Sequence, residues 1–227
     1  MADDKILSYN DVVLRRSDLD ILSGPYFLND RIIEFYLSYL SSTYPSTDIL
    51  LVPPSISFWI SNCPDPESLQ DFILPLNFPD KKVIIFPVND NEDVTLAEGG
   101  SHWSLLAYVR KKNVFVHHDS SGGLNRWHAK SLSKVVAKYL SSGGSSGSDD
   151  PTYIDFNETP QQRNGYDCGL YVTAIAKIIC EWFVNGGLED EGELWFSKLK
   201  REIKTAGTVS QMRNEILVLI RGLMVKK

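Results

Sequence analysis

Cysteine and histidine are scarce in this chain of 227 residues, which has three cysteines (Cys63, Cys168 and Cys180) and four histidines. An odd cysteine count without CxxC spacing excludes a disulfide framework and offers no zinc-ribbon ligand set. No apolar segment follows Met1-Ala2-Asp3-Asp4-Lys5, and none approaches the ~20 residues a membrane span requires. The expected setting is therefore reduced and intracellular, in cytoplasm and nucleus, with no membrane partner. A long basic run is also missing, and the formal net charge of −6 argues against a nucleic-acid partner. What is present is ordinary globular material, 43% hydrophobic and 23% charged, long enough to bury roughly 70% of its unfolded surface without metal or disulfide. The expectation is one domain over residues 1–227, monomeric, with no cofactor or metal and with a protein or small molecule as partner.

Periodicity orders the rest. Residues 5–22 mix short apolar runs with charges and read as a strand or extended arm with a turn. Asn29 is a candidate N-cap, with Leu28 and Ile33 as a hydrophobic staple, for a helix that ends before Pro45. Helices starting at Pro53-Pro54 and at Pro66 follow, and the three are expected to form one helical layer. Val83–Val88 is a β-branched and aromatic run of buried-strand type. A polar loop, Asn89–Gly100, leads to a hairpin of Trp103–Val109 and Val114–Asp119. If its turn centres on Lys111-Lys112, His102 lies opposite position 121 and Asp119 is its diagonal neighbour on the same face. Trp127–Leu140 reads as an amphipathic helix, the Ser/Gly-rich stretch at about 141–150 as a linker-like loop, and Tyr153–Phe156 as a strand. A long apolar helix beginning near Cys168 stops at Gly186-Gly187, and the tail forms outer helices.

The chemistry centres on Gln162-Arg163-Asn164-Gly165-Tyr166-Asp167-Cys168-Gly169. A cysteine at a helix N-terminus feels the partial positive charge of unpaired backbone N–H groups, which favours thiolate over thiol. A lone cysteine is more often a buried structural residue, so Cys168 gains weight only in company. A cysteine protease needs a thiolate, an imidazole, an acceptor that orients it, and donors for the oxyanion. Cys168, His102, Asp119, and Gln162 with the Cys168 N–H can fill those roles. His117, His118 and Asp119 superficially suggest a metal site, but adjacent strand residues point to opposite faces. Cys180, Trp59 and Trp195 read as core, Cys63 as an incidental loop residue, and Glu189-Asp190-Glu191 as a solvated helix start.

Gly100-Ser101-His102-Trp103-Ser104-Leu105-Leu106, His118-Asp119-Ser120 and Gln162 through Gly169, in the order His, Asp, Gln, Cys, resemble the ubiquitin-like protein proteases, which include the SUMO proteases. Leu7-Ser8-Tyr9, Leu14-Arg15, Ser17-Asp18, Leu28–Ile33 and Asn89-Asp90-Asn91 are similar to the short deneddylating branch, specific for the Nedd-type (Rub) modifier, and the long N-terminal extension common in SUMO proteases is not expected. The resemblance implies a papain-like α+β fold, a central mixed sheet flanked by helices, and cleavage after the Gly-Gly terminus of the modifier in its precursor or in lysine conjugates. It also implies that Trp103 roofs a tunnel only glycine can enter, and that Asp30 and the loop containing Asn91 contact the modifier's tail. Phe27 stands where that family usually has tryptophan. The alternatives are a SUMO protease, a non-catalytic ubiquitin-like-binding module, and an acyltransferase using the same Cys-His chemistry.

Overall fold

The computed structural model describes residues 3–96, 99–141, 150–189 and 193–225. Most of the Ser/Gly-rich stretch, 142–149, and the acidic residues Asp190 and Glu191 lie outside the described residues. In chain order the elements are β1 (Lys5–Tyr9), β2 (Val12–Arg15), α1 (Arg16–Ser23), α2 (Asp30–Thr43), β3 (Ile49–Leu51), α3 (Pro54–Asn62), α4 (Pro66–Ile73), β4 (Val83–Asn89), β5 (Trp103–Val109), β6 (Val114–His118), α5 (Arg126–Ala137), β7 (Thr152–Asp155), α6 (Cys168–Val184), α7 (Phe196–Glu202) and α8 (Ala206–Val225). The fold class is α+β. The chain divides into two compact units, Met1–Tyr44 with Thr159–Lys227, and Pro45–Glu158.

The unit Pro45–Glu158 contains a mixed five-stranded sheet in the order β3-β4-β5-β6-β7, parallel at β3/β4 and β6/β7 and antiparallel between. The apolar run read as a buried strand is β4, buried from Val83 to Val88. Its side chains Ile84, Phe86 and Val88 join Leu106, Tyr108 and Phe115 of the neighbouring strands, Ile60 of α3, Leu69 and Ile73 of α4, and Leu132 and Val136 of α5 in one core. The β5/β6 register matches the expectation residue for residue, with Leu105 opposite His118 and Val109 opposite Val114. Asn113 closes the turn in the left-handed region (φ 46°), a conformation asparagine tolerates better than most side chains.

The other unit is built around α6. A helix apolar on every side has to be buried all round, and all but one of Cys168–Cys180 are buried. It stops as expected: Gly186 is left-handed (φ 82°), and the N–H groups of Gly187 and Gly186 bond the carbonyls of Trp182 and Phe183 at 3.0 and 3.2 Å. Two expectations need correction. Residues 16–23 are a helix, α1, whose start is capped by the Asp18 carboxylate accepting the Arg15 N–H at 2.7 Å; Asp18 in turn holds Arg31 and Asn29, so the charged residues that look extended are helix-terminal partners. The proline-started helices α3 and α4 pack with the sheet, whereas α2 belongs to the other unit and packs on α6, so the three helices expected together are divided between the two units.

Candidate active site

The candidate residues fall in two clusters, one in each unit. In the sheet unit, the His102 Nε2 lies 2.8 Å from Asp119 Oδ1, as the hairpin register requires. The same carboxylate accepts the N–H of Ser121 on Oδ1 and the N–H of Asn125 on Oδ2, each at 2.8 Å. Burial pushes the Asp119 carboxyl up, but the His102 bond and the two backbone N–H groups outweigh it and hold its pKa below the usual carboxylate range. Asp119 is thus an anion with each oxygen committed to donors. Asn125, fully buried, donates from Nδ2 to the carbonyls of Val88 and His102, both at 3.1 Å. It fixes the backbone of the imidazole while its own N–H orients the carboxylate. Sequence reading missed it, because an asparagine preceding a helix looks like an ordinary cap.

The loop before His102 is folded on itself. The Asp90 carboxylate accepts the N–H groups of Ser101 and His102 at 2.6 and 2.9 Å. Asn91 donates its N–H to Asn89 Oδ1 at 2.8 Å, accepts the Asp93 N–H at 3.0 Å and donates to Leu96 O at 3.2 Å, so its side chain shapes this loop. Gly100 is left-handed (φ 83°), and a Cβ on it would meet the side chains of Asn89 and Asp90; glycine is what permits the loop to close against the histidine strand. Trp103 starts β5 opposite Asn89. The other adjacent histidines serve structure. His117 is gripped by Asp155 (2.8 Å) and Ser104 (3.0 Å), and His118 packs edge-on to Phe156, with burial lowering its pKa to about 3. Among the described residues no group of three His, Cys, Asp or Glu side chains could hold a metal ion.

In the other unit, Cys168 is the first residue of α6 and is buried. Its N–H belongs to the first turn, whose donors have no carbonyl within the helix. The turn ahead of it is an Asx-type structure: Asn164 Oδ1 accepts the N–H groups of Tyr166 and Asp167 at 3.2 and 3.0 Å. Gln162 Nε2 donates to Asn164 O at 2.8 Å, which orients its amide beside the same turn. Gly169 explains how the first turn of α6 meets α2. A Cβ there would lie 2.8 Å from Leu28 Cβ and 3.4 Å from Ile33 Cδ1, so the staple expected at the start of α2 forms a floor on which the first turn of α6 rests. The Asn29 cap (Oδ1 to Ile32 N–H, 3.0 Å) and the Asp18–Arg31 ion pair (3.1 Å) fix that floor. They also hold Phe27, half exposed, immediately before it and Asp30 at the helix's first position.

The model of the Ulp1 protease family, C-terminal catalytic domain, matches residues 26–191. The chain belongs to the Ulp1 protease family. It is thus a cysteine peptidase, and the match takes in the clusters at His102–Asp119 and Gln162–Cys168. Its relatives include NEDD8-specific protease 1 of Arabidopsis thaliana, 58% identical over 222 residues (98% of this chain, 95% of that one), and human Sentrin-specific protease 8, 35% identical over 184 residues (80% and 84%). Among solved structures, the C-terminal Ulp1 protease domain in complex with Smt3, the yeast ortholog of SUMO, aligns at TM-score 0.65 over 98% of this chain and 89% of that one, at 20% identity, which speaks for the fold. For this Ulp1-family domain no described helix is long and apolar enough to cross a membrane.

Proposed function

We propose that this Ulp1-family protein is a deneddylating cysteine protease, which hydrolyses the bond after the C-terminal Gly-Gly of the Nedd-type modifier in its precursor and in lysine isopeptide conjugates. The observation that carries the reading is 58% identity to a NEDD8-specific protease over nearly the full length of both chains. The roles follow from the chemistry. The Cys168 sulfur attacks the carbonyl of the terminal glycine. Asp119 engages Nε2 of His102, so the proton taken from the thiol and later given to the leaving amine travels on Nδ1. The resulting thioester is released by a water that His102 deprotonates. The Gln162 amide and the Cys168 N–H serve the oxyanion, a class of donor whose loss costs about 10²–10³ in rate. To Phe27 and Trp103 we assign recognition of the glycines, and to Asp30 and the loop of Asn91 recognition of the tail before them, on the resemblance to the family.

The test is a panel of NEDD8, SUMO and ubiquitin precursors, each with the same C-terminal extension, compared by kcat/KM. NEDD8 should be processed at least a hundredfold better than the others. Preferential processing of SUMO would transfer the protein to the SUMO-protease branch, and no processing of any precursor would leave a non-catalytic binding module.

A further inference from the structure

Helix α8 lies beyond the residues that match the family model, yet it carries the side chains on which the nucleophile's turn is anchored. Arg213 Nη2 donates to Asp167 Oδ1 at 2.9 Å, and Ser210, on the preceding turn, donates to Asp167 Oδ2 at 2.5 Å. Asn164 Nδ2 reaches that second oxygen at 2.8 Å. The same guanidinium donates from Nη1 to the Ile21 carbonyl in the last turn of α1 (3.0 Å) and lies 5.6 Å from the ring centroid of Tyr166. Asp167 itself is 2% exposed and takes the sparsely populated bridge conformation (φ −91°, ψ 2°). Its carbonyl accepts the N–H groups of Leu170 and Tyr171 at 2.8 and 3.2 Å. The next peptide plane contains the Cys168 N–H, so the dihedral angles of Asp167 set where that donor points.

Neutralising a buried carboxylate requires one cation. This arginine does more: it also joins α1 to Tyr166, so the turn is braced from both ends. We infer that Arg213, aided by Ser210, is a positioning residue that holds the Asn164–Asp167 turn so that the Cys168 N–H is aimed at the oxyanion formed during attack. The inference rests on the protease reading above. An error of about 1 Å in a reacting group can cost roughly a hundredfold in rate.

Two reagents separate this role from simple support. A peptide ending in glycine aldehyde is captured as a hemithioacetal: the S–C bond forms, the C=O becomes C–O, and the thiol proton ends on that oxygen, so its affinity depends on oxyanion donors. Iodoacetamide alkylates sulfur by expelling iodide and creates no oxyanion. For Arg213→Met the aldehyde affinity should fall ten- to hundredfold while the iodoacetamide rate at Cys168 stays within twofold; Arg213→Lys should recover part of the affinity. Because Arg213→Met strands a buried carboxylate, Asp167→Asn is added to it: the melting temperature should recover while the aldehyde affinity stays low. Recovery of the affinity together with the melting temperature, parallel loss with both reagents, or no loss with either would overturn the inference. A wild-type protein that captures the peptide aldehyde but does not process NEDD8 precursor would refute the substrate reading and leave the Arg213 comparison intact. A wild-type protein that captures no aldehyde would overturn both.

Discussion

The two candidate clusters, one in each unit, are held by different means. His102 and Asp119 stand just past the paired end of a hairpin, where repetitive and local backbone pairing brings their strands into register and the bonds of Asn125 and Asp90 complete the placement. Cys168 opens α6 just after an irregular turn, which is held by side chains of α8, themselves anchored on the Ile21 carbonyl of α1, while the first turn of α6 rests on Leu28 and Ile33. The first arrangement is stiff because many interchangeable backbone bonds share the strain; the second depends on a few irreplaceable atoms. It follows that conservative changes should be tolerated better around the imidazole than around the sulfur, except where a side chain such as Asp119 has every acceptor in use.

The largest effect expected is from Cys168→Ala, which should bring precursor cleavage below detection while leaving modifier affinity, measured by calorimetry, within a few-fold of wild type. Next is Asp119→Asn, a direct challenge to the stiff half. Asn carries one acceptor where Asp119 uses two, so its NH₂ must face either His102 with the Ser121 N–H or the Asn125 N–H. We expect kcat to fall by about 10²–10³ and unfolding free energy by roughly 1–3 kcal/mol in urea titration. An activity within threefold of wild type would show that the histidine needs orientation but not charge. Asn125→Ala should leave the Val88 and His102 carbonyls without their donor, costing about 1–3 kcal/mol and lowering kcat more than it raises KM.

Gly169→Ala tests the other half. Its new methyl meets Leu28 Cβ at 2.8 Å, and overpacking of this kind costs about 1–3 kcal/mol. Turnover should fall with it, whereas the same cost placed in the sheet core should leave turnover nearly intact. The last effect falls on stability and not on turnover, and it is a pH dependence. Burial lowers the His118 pKa to about 3 in the folded state, against an unfolded value of about 6.5. The unfolded chain therefore binds the extra proton between those values, and His118 contributes stability that is complete above about pH 6.5 and is lost as pH falls toward 3. Replacing it with Phe should flatten the fall in melting temperature between pH 6.5 and 4.

Much of this site is legible in the chain because its logic is local. Once Lys111-Lys112 is taken as a hairpin centre, counting brings His102 to Asp119, and the burst of apolar residues after Cys168 marks a helix start. Asn29, Leu28 and Ile33 obey a capping rule that spans six residues. What counting could not reach is partnership at a distance. Asp167 and Arg213 are 46 positions apart and Arg213 and Ile21 are 192 apart, and no period connects them. Helix α1 escaped because its N-cap position is held by Arg15 instead of the usual Ser or Thr, with the capping carboxylate of Asp18 three residues on, and the signal reads as a charged turn. Asn125 escaped because its work is on the carbonyls of Val88 and His102, which become neighbours only when the sheet forms.

The three thiols offer a final practical lesson. Burial pushes the Cys180 thiol up to about 12, so an electrophilic stain should pass it by at neutral pH. Cys63 is only half covered, its Sγ donating to the Asp65 carbonyl at 3.2 Å, and any dye that counts active enzyme by mass would count that site too. Titrating working molecules in a crude extract therefore calls for a Cys63→Ser background, in which one bound tag reports one competent protease.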